Sequence, residues 1–309
     1  MILDILLIVI GVTLVLYGAN QLTDGASALA RRMNVPEIVI GLTIVAAGTS
    51  APELFVSLVS ALKGTPGLAV GNVVGSNTMN AMLIVGCAAM VAPMVISPST
   101  VKKDIPFSVG ASLLLLLIAL DGFLGRFDGL LLLLGFAIFM AYTLRVSKKT
   151  AEKQDVPATA EKAWLSTGRL LLGLTLLVVG SNLFVDSASN VALALGISEG
   201  VVGLTVVAGG TSLPELATSV VAARKGQSAI AIGNVIGSNV FNILLILGLT
   251  ATISPLQITG ITTLDMAVML VSVALVWLFS FTRYTVERWE GGLLVGGYLA
   301  YLGWLISQL

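Results

Sequence analysis

Two glutamates lie in the middle of long apolar stretches, and each ends the same short polar motif. Glu53 closes the sequence Gly-Thr-Ser-x-Pro-Glu that begins at Gly48, and Glu215 closes the copy that begins at Gly210. A carboxylate is expensive to bury in an apolar segment, so two such residues predict a functional site. Because proline lacks an N–H and clashes with the preceding turn, the carbonyls of Gly48 and Gly210 lose their helical hydrogen-bond partners.

A second polar motif follows each glutamate in the next apolar stretch. Its polar residues recur every four positions and therefore share one face of a helix. They are Asn72, Ser76 and Asn80 in the first copy and Asn234, Ser238 and Asn242 in the second. Together with Thr49 and Thr211, the motifs offer carbonyl, hydroxyl, amide and carboxylate oxygens. Hard cations such as Ca²⁺ and Na⁺ prefer these ligands and soft metals do not, so we predict a cation site.

The two motifs belong to an internal repeat. Residues 41–90 and 203–252 align without a gap at an offset of 162 residues and are identical at 28 of 50 positions. The repeat extends towards the N-terminus, where residues 11–27 match residues 173–189. We therefore predict a first half at residues 1–146, a linker at 147–162 and a second half at 163–309.

The composition predicts a membrane protein. Of the 309 residues, 57% are hydrophobic and only 10% are charged, whereas soluble domains have about 25% charged residues. Each half contains five candidate spans, and an odd number inverts the second half in the membrane. The expected fold is an all-α polytopic membrane protein of ten transmembrane helices in two inverted five-helix repeats. The candidate spans are Ile2–Leu22, Pro36–Leu62, Leu68–Ala92, Ile105–Leu120, Gly129–Val146, Ser166–Asp186, Ser198–Ala223, Ala229–Ile253, Leu264–Thr282 and Gly291–Ser307.

The basic residues predict the orientation. With the N-terminus outside, fourteen of the sixteen Lys and Arg residues face the cytoplasm, and only Lys63 and Arg126 lie outside. Cytoplasmic loops carry such an excess of positive charge, so both termini are expected outside. The first apolar stretch has no basic leader and no cleavage signal, and we interpret it as a retained span.

Several classes of function are excluded by what the sequence contains. It has no His and a single Cys, Cys87, so neither a zinc site nor a Ser-His or Cys-His catalytic pair can be assembled. Zero net charge and the absence of a known motif give no reason to expect nucleic acid. We expect no enzyme activity, no cofactor and no protein partner, with the lipid bilayer and the cations as the only interacting components.

Other polar or small residues in these stretches have structural interpretations. Ser57 and Ser219 are expected to bond back to their own helices. Asp24 and Asp186 lie near span ends, where we expect interfacial charges and not ligands. Gly233-x-x-x-Gly237 and its copy in the first half fit close helix packing, which is compatible with lining a site.

The paired motifs resemble the two α-repeats of the calcium/cation antiporter superfamily, in the prokaryotic-type sodium/calcium exchanger branch. The resemblance implies a core of the second, third, seventh and eighth spans, across which the first and sixth slide. It implies Ca²⁺ ligation by Glu53 and Glu215 with Thr49 and Thr211. It assigns Na⁺ binding and the lining of the site to Ala46, Ser50, Ser76, Asn80, Ala208, Ser212, Ser238 and Asn242. Some relatives carry Asp at one of the last amide positions, whereas this chain has Asn in both.

The predicted function is therefore Ca²⁺/Na⁺ antiport by alternating access in a prokaryotic cytoplasmic membrane. The three Na⁺ per Ca²⁺ that the resemblance implies would make the exchange electrogenic. A proton-coupled antiporter is the nearest alternative, although that branch carries an additional acidic residue in the second motif. A non-transporting scaffold gives no reason for a repeated buried Glu, and an intramembrane hydrolase lacks a base beside any motif serine.

Overall fold

The computed structural model describes residues 1–151, 163–196, 206 and 208–308. The predicted linker residues 152–162 and the first part of the seventh span, 197–205, lie outside these residues. The described chain is almost entirely helical.

The first half contains five helical units. They are α1 (Ile2–Arg32), α2 (Glu37–Thr49 and Ala51–Leu62), α3 (Pro66–Val91), α4 (Ile105–Ile118, after a π turn at Thr100–Asp104) and α5 (Arg126–Ala151). The second half repeats this order within its described residues. Its units are α6 (Ala163–Ala194), α7 (Ala208–Thr211 and Leu213–Arg224), α8 (Ser228–Ile253), α9 (Thr263–Ser280) and α10 (Arg288–Ser307).

Six of these helices are individually long and apolar enough to cross a membrane, and the two segments of α2, bent by 45°, make a seventh span when taken together. The remaining helices, α4, α7 and α10, do not meet this requirement by themselves within the described residues. α4 has only 14 residues after its π turn, whereas a helix needs about 20 residues to span a bilayer. α10 begins with charged residues and is rich in glycine, and α7 is described only from Ala208.

The first and sixth helices are longer than the sequence predicted. The first span was predicted to end at Leu22, but α1 continues to Arg32. The sixth was predicted to end at Asp186, but α6 continues to Ala194. Beyond Leu22, the residues of α1 are small and buried, including Gly25, Ala26 and Ala30. Because they pack against protein and not lipid, hydropathy does not identify this part of the helix.

Two short β ladders reveal the symmetry of the molecule. Strand β1 (Met94–Val95) pairs antiparallel with β4 (Thr285–Val286), and β2 (Phe123–Leu124) pairs antiparallel with β3 (Leu256–Gln257). The residues that lie 162 positions after β1 form β3, and those that lie 162 positions after β2 form β4. The repeat therefore relates the β1–β4 ladder to the β3–β2 ladder. The register is also preserved, since Met94 faces Val286 and its equivalent Leu256 faces Leu124. The halves are therefore related by a pseudo-two-fold axis.

The core lies around α3 and α8. Of their most apolar windows, 78% and 94% are buried, compared with 22% for α1. Glycines bring α2 directly against α8: a Cβ on Gly233 would lie 3.1 Å from Gly41 Cα, and one on Gly237 would lie 2.8 Å from Leu42 Cα. Gly233 and Gly237 thus serve close packing, as small residues do between membrane helices. The same is not seen at Gly75 in the first copy, where no neighbouring helix of the described residues comes within 4 Å of a Cβ.

Outside this core, α1 and α6 pack along each other through small residues. A Cβ on Gly11 would lie 2.8 Å from the Gly180 carbonyl oxygen, and one on Gly18 would lie 2.9 Å from that of Gly173. Farther along, a Cβ on Gly25 would lie 2.9 Å from the Ser166 carbonyl oxygen. These close approaches, seven residues apart, join the two helices into one unit.

Candidate cation-binding site

The helix breaks in α2 and α7 position the two glutamates. Ser50 and Ser212 separate the segments, with φ/ψ of −83°/7° and −89°/7°. Pro52 and Pro214 then occupy the first turn of the following segment, where the missing N–H has no helical partner to lose. Each glutamate therefore also lies in a first turn, where the helix dipole favours negative charge.

The break separates two of the motif residues. Thr49 and Glu53 are four positions apart, a spacing that would place them on one face of an unbroken helix. The first segment of α2 ends at Thr49 and the second begins at Ala51, so Thr49 belongs to a different helical segment from Glu53. The break turns the chain between them.

Each carboxylate is held by a serine from the other half of the molecule. Ser50 Oγ donates to Glu215 Oε1 at 3.1 Å, and Ser212 Oγ donates to Glu53 Oε1 at 3.3 Å. Ser76 Oγ lies within hydrogen-bond distance of Ser212 Oγ, at 3.2 Å. Both glutamates are buried, with exposures of 0% and 1%, and they are close enough for their charges to interact. The pseudo-two-fold axis thus brings the two predicted Ca²⁺ ligands together.

An asparagine from the next helix fixes the backbone of each glutamate. Asn72 Nδ2 donates to the Glu53 carbonyl at 3.2 Å and to Ser57 Oγ at 3.0 Å. The equivalent bonds in the second half run from Asn234 to the Glu215 carbonyl at 3.4 Å and to Ser219 Oγ at 3.0 Å. Ser57 Oγ in turn donates to the Ala69 carbonyl of α3 at 3.5 Å, so the expectation that it bonds back to its own helix was wrong. For Ser219 that expectation stays a prediction.

Four asparagines form a second link between the halves. Asn80 Nδ2 donates to Asn239 Oδ1 at 3.1 Å, and its equivalent Asn242 Nδ2 donates to Asn77 Oδ1 at 3.0 Å. Asn77 Nδ2 also donates to the Asn239 carbonyl at 3.2 Å. Sequence analysis identified Asn80 and Asn242 but not the structural part played by Asn77 and Asn239, although the repeated motif contains all four. Short π segments begin at Asn80 and Phe241, a distortion that is frequent at functional sites.

This network leaves four buried carboxylate and amide oxygens without a hydrogen-bond donor, and the hydroxyl oxygen of Ser238 also lacks a partner. The four are Oε2 of Glu53 and Glu215 and Oδ1 of Asn80 and Asn242, two pairs related by the repeat. An unsatisfied buried acceptor costs about 1–3 kcal/mol, and more when it is charged. Oxygens of this kind can be satisfied by a desolvated cation.

The other predicted site residues lie around this centre. Thr49 Oγ1 donates to Asn234 Oδ1 at 3.0 Å, and Thr49 and Ser238 lie beside Glu215. Thr211 lies beside Glu53. The Ala46 carbonyl accepts the Ser50 N–H at 2.9 Å, and Thr49 Oγ1 lies 3.4 Å from it. Ala208 begins the described part of α7, and its side chain lies outside the described residues.

Comparison with known proteins identifies the family. The model of the family "Sodium/calcium exchanger protein" matches residues 3–145 and again residues 165–307. The chain belongs to this family. It is 32% identical to the sodium/calcium exchanger MaX1 of Methanosarcina acetivorans, with 97% of each chain covered. It is 36% identical to the inner membrane protein YrbG of Escherichia coli, covering 99% of this chain and 97% of the relative.

The fold is also that of solved exchanger structures. A structure of the sodium-calcium exchanger NCX_Mj soaked with Na⁺ and Sr²⁺ matches with a TM-score of 0.87 and 34% identity over 98% of both chains. Another, soaked with Na⁺ and Ca²⁺, matches with a TM-score of 0.87 and 33% identity. The predicted family and the predicted polytopic all-α fold are confirmed. The residue boundaries of the halves and the roles of individual site residues stay predictions.

Proposed function

We propose that this family member exchanges Ca²⁺ for Na⁺ by secondary antiport, and that both ions use the site between α2, α3, α7 and α8. Membership of the exchanger family supports cation antiport in general. The observation that carries the specific proposal is the set of four donorless oxygens of Glu53, Glu215, Asn80 and Asn242. An oxygen-only site of this kind suits Ca²⁺ and Na⁺.

The charge of the site favours a single Ca²⁺. Glu53 and Glu215 contribute two negative charges, and the described residues contain no cluster of three or more His, Cys, Asp or Glu side chains. The two carboxylates therefore balance one divalent ion. In this proposal Thr49 and Thr211 complete the Ca²⁺ ligands beside the carboxylate that each contacts.

Na⁺ binding is assigned to the oxygens around this centre. Ser212 and Ser76 form a pair of hydroxyls beside Glu53, and the Ser50 hydroxyl lies beside Glu215. A hydroxyl can turn its proton away and present a lone pair to a cation. Ser238, Asn80, Asn242 and the carbonyls of Ala46 and Ala208 complete the proposed set.

The amides favour Na⁺ over H⁺ as the driving ion. Asn77, Asn80, Asn239 and Asn242 surround the site at positions where a titratable group could have carried a proton. An amide does not titrate at working pH, but its carbonyl oxygen is a good cation ligand. The two glutamates are needed for Ca²⁺, so no separate proton carrier is left among the motif residues.

Alternating access is proposed for the movement of the ions. The four core helices are held together across the pseudo-two-fold axis by the serine and asparagine bonds, whereas α1 and α6 form a separate unit on the outside. This division supports movement of the α1–α6 unit across a fixed site. The pairing of β1 with β4 supports the predicted order of the spans, because the loops that carry the two strands are predicted to lie on the same side of the membrane.

The proposal is tested with purified protein in liposomes. Vesicles loaded with Na⁺ and diluted into Na⁺-free buffer containing ⁴⁵Ca²⁺ should accumulate Ca²⁺, and vesicles without a Na⁺ gradient should not. A pH gradient imposed without Na⁺ should drive no uptake. Uptake under that last condition would instead assign the chain to a proton-coupled exchanger.

A further inference from the structure

The repeat relates an acid and a base that lie outside the ion site. Asp24 of α1 corresponds to Asp186 of α6, and Lys225 after α7 corresponds to Lys63 after α2. The offset of 162 residues therefore defines two equivalent acid–base pairs, Asp24 with Lys225 and Asp186 with Lys63. In the predicted topology the first pair lies at the cytoplasmic end of the molecule and the second at the outer end.

The first pair is formed in the structure. Lys225 Nζ lies 2.8 Å from Asp24 Oδ1, and it also donates to Thr23 Oγ1 at 3.1 Å and to the Asn20 carbonyl at 3.2 Å. The side chains of Lys225 and Asp24 are 27% and 48% exposed. This contact joins the end of α7 to α1, and α1 packs along Leu213–Arg224. One end of the α1–α6 unit is thus closed onto the core.

The second pair is open. Lys63 and Asp186 are both exposed, and among the described ion pairs neither has a partner. The packing differs in the same way, since α6 does not lie along Ala51–Leu62 as α1 lies along Leu213–Arg224. Next to Asp186, a cavity of about 320 Å³ lies between α6 and α7, and Phe184, Ala188 and Gly210 are among its lining residues. The two helices are in contact beside it, where Gly210 packs against Val185.

We propose that the two pairs form alternately and position the α1–α6 unit: Asp24–Lys225 when the cytoplasmic end is closed, and Lys63–Asp186 when the outer end is closed. This inference rests on the proposed antiport. Because the two-fold axis makes the pairs equivalent, a rearrangement that exchanges the roles of the halves breaks one pair and forms the other. Such a bistable element is what a two-state transition requires.

The test measures how often the second pair forms. Lys63→Cys and Asp186→Cys are combined with Cys87→Ser, and the purified protein is treated with a short bifunctional maleimide. The intact mass of the protein distinguishes the two products. A cross-linked protein carries one reagent molecule, whereas a protein whose two cysteines reacted separately carries two. Adding Asp24→Asn should raise the cross-linking rate, by up to about fivefold for the loss of one partly exposed ion pair. The control Asp121→Asn, in an exposed loop, should leave the rate unchanged.

A charge-swapped variant guards against a simple folding defect. Asp24→Lys with Lys225→Asp should restore the low cross-linking rate, which a merely damaged helix end would not do. No cross-link in any variant, or a rate that ignores Asp24→Asn, would overturn the inference. Liposome uptake separates this inference from the proposed antiport. If the wild type shows normal Na⁺-driven Ca²⁺ uptake but cross-linking does not respond to Asp24→Asn, only the alternating ion pairs are rejected. If the wild type shows no Na⁺-driven uptake, the antiport itself is rejected.

Discussion

Each glutamate of the site uses one carboxylate oxygen for a serine from the other half and leaves the second without a donor. Glu53→Gln or Glu215→Gln keeps the shape of the side chain but removes one of the two negative charges of the proposed Ca²⁺ site. Unit charges 4 Å apart attract by about 4 kcal/mol at an effective dielectric constant of about 20, so apparent Ca²⁺ affinity should fall at least ~100-fold. ⁴⁵Ca²⁺ uptake in liposomes measures this loss.

The matched control for the glutamate variants is Asp121→Asn. Asp121 accepts the Phe123 N–H in an exposed loop, and Asn can accept the same bond, so uptake should stay at the wild-type level. Because Ca²⁺ binds only ionised carboxylates, acidification should also weaken uptake by the wild type. Near-normal uptake by either glutamate variant would contradict the site assignment.

Asp104, just outside the fourth span, has a carboxyl group whose titration affects stability. Burial raises its pKa from 3.8 to about 6, and Thr100 and Lys103 offset only part of this effect. Between these values the folded protein binds more protons than the unfolded chain, so this group makes stability fall as the pH rises. Asp104→Asn should therefore raise the melting temperature in detergent near pH 8, and the gain should vanish near pH 4. An equal gain at both pH values would show that burial of the charge is not the cause.

At the scale of the elements, the sequence predicted the breaks of α2 and α7 because proline acts locally on its own helix. It did not predict the π segments at Gly41–Val45 and Asn80–Ile84, which depend on contacts between helices. The sequence also predicted an end of α1 that is too early. The small residues that extend α1 to Arg32 are only weakly apolar, and α6 packs against them. Local rules therefore located the site, whereas packing determined the lengths and distortions of the helices around it.

The packing of α1 on α6 can be tested at one glycine. A Cβ on Gly18 would lie 2.9 Å from the Gly173 carbonyl oxygen and 3.0 Å from the Leu177 backbone nitrogen, neither of which can move freely. Gly18→Leu should separate the two helices and lower the melting temperature of the purified protein by several degrees or more, since overpacking costs about 1–3 kcal/mol.

The control for this variant is Gly296→Leu in α10. No heavy atom of the described residues lies within 4 Å of a Cβ built there, and the residue is exposed. The same change of residue should therefore have little effect on the melting temperature. Equal losses in the two variants would indicate a general intolerance of leucine in glycine-rich spans, and not a specific α1–α6 contact.

At the scale of the whole molecule, the inverted arrangement followed from an odd number of spans per half. The sequence could not predict which side chains bond across the axis. The contacts between Ser50 and Glu215 and between Asn80 and Asn239 join residues more than 150 positions apart. They arise only when both halves are assembled. The repeat identified the predicted ligands in each half, and the assembly of the two halves brings Glu53 and Glu215 into contact with residues of the opposite half.

The charge of the assembled site leads to a prediction about membrane potential. Two carboxylates balance one Ca²⁺, whereas the three Na⁺ implied by the family resemblance would leave one positive charge in excess. When Ca²⁺ enters a Na⁺-loaded vesicle, two positive charges move in and three move out, so each cycle exports one. A potential of 100 mV is worth about 2.3 kcal/mol per charge that crosses the whole membrane.

An inside-positive potential should therefore accelerate Na⁺-driven Ca²⁺ uptake, and an inside-negative potential should slow it. The potential is clamped with valinomycin and chosen K⁺ gradients, and initial rates of ⁴⁵Ca²⁺ uptake are compared at equal Na⁺ gradients. Vesicles containing Glu53→Gln measure the leak at each potential, because the bilayer and the clamp are the same while the site lacks a charge. Rates that do not change with the clamped potential would exclude three Na⁺ per Ca²⁺ and favour an exchange of two Na⁺ for each Ca²⁺, which the two carboxylates could balance without net charge movement.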